Sequence, residues 1–166
     1  MYQAGDYVMY AGNGLCLVES VGVPNFQPSG NAVPYYYLRT ADDRDRIYVP
    51  VNNTALPIRD PLTSHEAEAL LAELPSMQID LPPKRDQKVM VKLCKEMLQP
   101  QTARAMARTM KMLYVAHPAG KMSSDEEKIL KRTESCLRDE LAYALKISVQ
   151  EASRKLSNAL KEGERE

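Results

Sequence analysis

Tryptophan is absent and phenylalanine occurs once, so nine tyrosines supply nearly all the aromatic surface. The two histidines, His65 and His117, fall in different segments, and His65 suits the first turn of a helix better than an active site. Cys16, Cys94 and Cys136 are odd in number, widely separated and without neighbouring histidines, which excludes a simple disulfide or zinc framework. They read as small buried hydrophobes. No apolar run reaches the roughly 18 residues of a membrane helix, and the opening MYQAGDYVMY has no basic segment followed by an apolar one. The expectation is a cytoplasmic protein with neither membrane span nor signal peptide. Also missing are a nucleophile elbow, a phosphate-binding glycine loop, a metal-spaced His/Cys set and paired carboxylates. Gly12-Asn13-Gly14 precedes a strand and not a helix, and Asp42, Asp43 and Asp45 lack the glycine and terminal glutamate of a calcium loop. The chain therefore reads as a binding protein, not an enzyme, with no cofactor and no metal.

What is present fits a folded chain: 44% hydrophobic and 27% charged residues are near globular averages. The net charge of zero conceals an asymmetry. Residues 1–80 carry four arginines against ten acidic groups, a net of −6, whereas residues 81–118 carry eight basic groups against Asp86 and Glu96, a net of +6. A basic segment inside a neutral protein is a local electrostatic site.

The first sixty residues alternate short β-prone runs with turn signals, as in a small meander or barrel. Tyr7–Tyr10 and Leu15–Val18 flank Gly12-Asn13-Gly14, whose residues tolerate positive φ, and together they predict a hairpin. A longer loop from Pro24 to Pro34 leads to Tyr35–Leu38, and the acidic turn Ala41-Asp42-Asp43 leads into Arg46–Pro50. Such a sheet has little core unless it closes or docks.

After Pro61 the pattern is helical. Thr63 with Glu66 forms a capping box, and Ser123 with Glu126 and Ser148 with Glu151 repeat it; Gly163 is placed to end the last helix, and the tail from about Lys161 reads as frayed. Two further helices are predicted over about 84–98 and 101–115, separated near Pro100. Met90, Leu93, Cys94 and Met97 form one apolar stripe, Ala103, Met106, Ala107 and Met110 another, and the two should pack together. The division is thus residues 1–60, β-rich, and 61–166, all helical.

Two features offer contact surfaces. Lys88, Lys92 and Lys95 share a helix face, with Lys84 and Arg85 one turn earlier; Arg104, Arg108 and Lys111 repeat the spacing on the next helix. A lysine row is ordinarily a solvated face, but acidic partners at i+4 are nearly absent, which makes a phosphate backbone a natural counter-surface. Tyr35, Tyr36 and Tyr37 must alternate between faces. Either Tyr35 and Tyr37 are core and Tyr36 covers surface, or an exposed tyrosine is a protein-contact anchor.

The order of these features resembles the CarD/CdnL family of bacterial transcription regulators. The residues that carry it are Gly5-Asp6-Tyr7-Val8-Met9-Tyr10 with Gly14 and Val18-Glu19, then Tyr48-Val49-Pro50, and later Met122-Ser123 through Glu126, Leu130, Leu137 and Glu140-Leu141-Ala142. The N-terminal part is similar to the Tudor-like module also found in transcription-repair coupling factors. The resemblance implies an α+β protein, with a small SH3/Tudor-like β-barrel followed by an all-α domain. It further implies that the barrel docks on the RNA polymerase β subunit by strand pairing, with Arg46, Tyr48 and the strand ending near Val23 as contacts. The helices would meet promoter DNA at the upstream edge of the melted region, modulating initiation-complex stability, with the protein a monomer when bound.

The chain departs from the family at several points. The family's wedge tryptophan falls at about Gln87, a basic family position at about Glu127 with Lys128 beside it, and arginine positions of relatives near Pro24 and Tyr48; Lys92 does match a basic position. A glutamine replaces little lost base stacking. DNA contact is therefore expected mainly at phosphates, through Lys84, Arg85, Lys88, Lys92, Lys95, Arg104, Arg108 and Lys128. The alternative is a polymerase-docked adaptor whose helices bind another protein.

Overall fold

The computed structural model describes residues 1–25, 32–53 and 57–162, and its contacts divide the chain into two compact units, Met1–Pro61 and Leu62–Glu166. Most of the loop expected between Pro24 and Pro34, and the helix stop expected at Gly163, lie outside the described residues.

The first unit contains β1 (Tyr7–Tyr10), β2 (Gly14–Gly22), β3 (Tyr35–Thr40), β4 (Arg46–Pro50) and β5 (Ile58–Arg59). All the pairings are antiparallel and the order is β4-β3-β2-β1-β5. The sheet curls into a half-barrel rather than a closed one: among the described residues β4 and β5 do not pair. The β1–β2 hairpin turns through Gly12 and Gly14, at φ 78° and 77°, where a side chain would be strained.

Val8, Cys16, Val18, Tyr36, Leu38 and Val49 are buried together on the concave side. Along β3 the phase is the reverse of the tyrosine arrangement in which Tyr36 covers surface. Tyr36 is 4% exposed, whereas Tyr35 and Tyr37 are half-buried. A β-bulge between Val18 and Ser20 accounts for the core's continuity along β2. Glu19 is the extra residue, so Val18 and Val21, three apart, both face the core, which a regular strand would forbid. Tyr2 ties down the start of the unit: its amide donates to the Tyr36 hydroxyl at 3.2 Å, and burial, with the Asp60 carboxylate, pushes its phenol up to about 12.

The second unit comprises α1 (Ser64–Glu73), a single 3₁₀ turn (Leu74–Ser76), α2 (Gln87–Leu98), α3 (Ala103–Ala116), α4 (Ser124–Leu145) and α5 (Val149–Glu162). Both of the first capping boxes form. Thr63 Oγ1 accepts from the Glu66 amide at 3.1 Å and Glu66 Oε1 from the Thr63 amide at 3.0 Å; Ser123 and Glu126 exchange equivalent bonds at 3.3 Å. Ser148 Oγ caps α5 through the Glu151 amide at 3.1 Å. The start of α2 differs from the sequence expectation. Asp86 is the N-cap, accepting from the Val89 amide at 3.0 Å, so Lys84 and Arg85 precede the helix instead of forming its first turn.

α4 is the central strut. Leu137 and Leu141 on it are wholly buried with Leu70, Leu74, Met110 and Leu156 from the surrounding elements. A second cluster joins Met90 and Cys94 of α2 to Met112 and Leu113 of α3, so the predicted pairing of α2 with α3 holds. It uses the face of α3 adjacent to the predicted stripe, because Met106 and Met110 join the cluster that contains Leu137 and Leu141 of α4. α3 is thus enclosed on nearly every side, and this overturns one expectation. Lys111 is 5% exposed and no part of a basic surface. Its ammonium donates to the carbonyls of Leu74 and Pro75 at 2.7 and 2.8 Å, closing the end of α1 together with the Met77 amide, which donates to Leu74 at 3.3 Å.

Two stability measurements check this packing. Leu141→Ala is expected to cost about 2–5 kcal/mol in urea unfolding, the usual range for emptying a leucine site in a core. Lys111→Met, which keeps the stem but takes the ammonium from the Pro75 carbonyl and leaves the Leu74 carbonyl with the Met77 amide, is expected to cost about 1–3 kcal/mol. The same change at exposed Lys92 is expected to stay within about 0.5 kcal/mol.

Candidate docking edge and nucleic-acid interface

Arg46 and Tyr48 lie on β4, an edge strand of the sheet. The Thr40 amide donates to the Asp45 carbonyl at 3.1 Å and the Val51 amide to the Pro34 carbonyl at 3.0 Å, which sets the alternation of the ladder. The Tyr37–Tyr48 and Arg39–Arg46 pairs are therefore the non-hydrogen-bonded ones, and the backbone groups of Arg46 and Tyr48 are directed away from β3. Tyr48 is 54% exposed and meets the Tyr37 ring edge-on, with centroids 5.0 Å apart. Val23 is 49% exposed but sits just past β2, an inner strand. Gly22 pairs with Tyr35, which pairs with Pro50, so Val23 lies at the opposite end of β4 from Arg46.

Arg46 is already engaged. Its guanidinium lies 3.0 Å from Glu19 and 3.2 Å from Asp43, and Arg39 reaches the same two carboxylates at 3.8 and 3.7 Å. The bulge places Glu19 there, and a turn with Asp43 at φ 62° places the second acid. The sequence does not show either acid as a partner of these arginines, because the bulge that brings Glu19 to them has no local signature.

On the helical unit, Lys88, Lys92 and Lys95 are exposed on the side of α2 opposite Met90 and Cys94, and among the described residues no carboxylate lies within ion-pair distance of them. They line an open groove with Gln87, Val91, Glu96 and, from α4, Asp125. Gln87 donates to Asp125 at 3.0 Å, fixing the side chain that stands near the wedge position. Arg85, Arg108 and Lys128 are exposed outside this lining. Lys84 lies 3.4 Å from Asp86, and Arg104 forms an ion pair with Glu73 across to α1, so these two are partly neutralised within the protein. The Val89 amide, then the Lys84 ammonium, hold the Asp86 carboxyl below the usual carboxylate range.

Three buried or half-buried titratable groups of the helical unit, His117, Glu126 and Glu140, have structural partners. His117, the C-cap of α3, lies 2.6 Å from the buried carboxylate of Glu126 at the start of α4. Glu140, wholly buried, accepts from the Leu62 amide at 2.9 Å. None of the three cysteines forms a disulfide, two of them are buried, and burial pushes Cys94 up to about 11. Among the described residues no three His, Cys, Asp or Glu side chains are grouped to hold a metal ion, and no helix is long and apolar enough to cross a membrane.

No curated protein matches the chain. Residues 2–61 match the model of the CarD-like/TRCF RID domain, ending where the first unit ends. Such domains are non-catalytic and mediate RNA polymerase interaction in transcription-related proteins. The half-barrel of residues 2–61 is thus similar to a CarD-like/TRCF RID domain, a match that spans about a third of the chain.

Proposed function

We propose that the chain is a bacterial cytoplasmic transcription regulator that docks on the RNA polymerase β subunit along β4. From there it holds promoter DNA by its phosphates and so changes the stability of the initiation complex. One copy binds each polymerase. The domain match supports the polymerase half; the observation that carries the DNA half is the row Lys88, Lys92 and Lys95, three exposed ammonium groups with no carboxylate partner among the described residues. Docking raises the local concentration of DNA at the row, so weak contacts become sufficient. Arg85, Arg108 and Lys128 extend the positive surface, while Lys84 and Arg104 contribute less because Asp86 and Glu73 hold them. Phosphate contact fixes position and not sequence.

A second reading, the polymerase-docked adaptor, is favoured by Gln87. Its bond to Asp125 leaves an amide, not an apolar wedge, at the mouth of the groove, and Glu96 and Asp125 make that groove mixed in charge. Salt separates the readings. With three phosphates engaged, log affinity for a polymerase–promoter complex is expected to fall against log salt about 3 units more steeply for the wild-type chain than for Lys88→Glu/Lys92→Glu/Lys95→Glu. Equal affinities and slopes for the two chains would favour the adaptor.

A further inference from the structure

We infer that β4 receives an electrically neutral strand: its partner sets an apolar side chain beside Tyr48 and an uncharged residue beside Arg46, and docking is nearly independent of ionic strength. This rests on the reading of β4 as the polymerase dock and adds the chemistry of what the dock accepts.

The four charges grouped around Arg46 cancel. Glu19 and Asp43 each lie within 4 Å of both Arg39 and Arg46. The backbone sets this arrangement, through the bulge at Glu19 and a braced turn before β4. In that turn Thr40 Oγ1 donates to Asp42 at 2.7 Å and accepts from the Asp45 amide at 3.1 Å, and Asp42 also accepts from the Arg44 amide at 3.1 Å. The Arg44 guanidinium has Asp42 at 3.8 Å. A carboxylate approaching Arg46 from a partner would meet the field of Glu19 and Asp43 and gain little. Tyr48 supplies the opposite chemistry, a ring half exposed and braced edge-on by Tyr37. A strand added along β4 carries the side chains next to Arg46 and Tyr48 two residues apart on one face. Main-chain bonds provide register, the ring provides apolar contact, and neither is screened by salt.

Binding of the full chain to polymerase core without DNA isolates this contact from the lysine row. Between about 50 and about 500 mM salt the Kd is expected to change by less than about threefold. Arg46→Gln and Tyr48→Phe are each expected to stay within about threefold of wild type, and Tyr48→Ala to weaken binding about tenfold or more. A Kd that rises about tenfold or more with salt, or an Arg46→Gln loss as large as that of Tyr48→Ala, overturns the neutral dock while leaving the polymerase reading standing. Absence of wild-type binding at every salt concentration overturns the polymerase reading and this inference with it.

Discussion

Met90 and Cys94 are wholly shielded against Met112 and Leu113, and that contact decides where the cations of α2 go. A helix that commits one stripe to a partner has no choice about the opposite stripe. With Met90 and Cys94 inward, Lys88, Lys92 and Lys95 are outward, and because α2 contributes only Glu96 as an acid, its own charges cannot balance them. The same rule acts in reverse on α3. Packed against α2, α4 and the 3₁₀ turn, that helix exposes only two cations, Arg104 and Arg108, and it converts Lys111 into an internal clasp on the end of α1.

The half-barrel obeys a comparable constraint at Glu19. One extra residue in β2 keeps Val18 and Val21 in the core and, by the same shift, sets a carboxylate between two arginines on the other face. Core continuity and the placing of Glu19 between Arg39 and Arg46 are thus two consequences of one bulge. The two units differ accordingly in what they expose. The sheet presents main chain and a tyrosine with its charges settled, and the helices present charges that are unsettled.

How much of this could be read from the chain depends on how local each determinant is. Capping boxes are reciprocal bonds over three residues, so Thr63–Glu66 and Ser123–Glu126 were legible, as was the α2–α3 contact from its 3.6-residue period. The phase of Tyr35-Tyr36-Tyr37 was not: alternation offers two equivalent choices, and the neighbouring strand selects between them. Lys111 has the spacing of a surface residue with Arg104 and Arg108, and only carbonyls some 36 residues away reveal otherwise. Asp86 was counted as one acid among many basic groups, yet as an N-cap it moves Lys84 and Arg85 out of the helix. The pairing of Gln87 with Asp125, 38 residues apart, has no sequence signature.

The central claim is a division of labour in which β4 meets protein and α2 meets nucleic acid. A photoreactive amino acid placed singly at Tyr48 and at Lys92, in a complex with polymerase and a promoter fragment, reads both contacts directly. The account predicts that the Tyr48 probe joins a polymerase polypeptide and that the Lys92 probe joins a DNA strand. A Lys92 probe that joins only protein, or a Tyr48 probe that joins no polymerase chain, would contradict it.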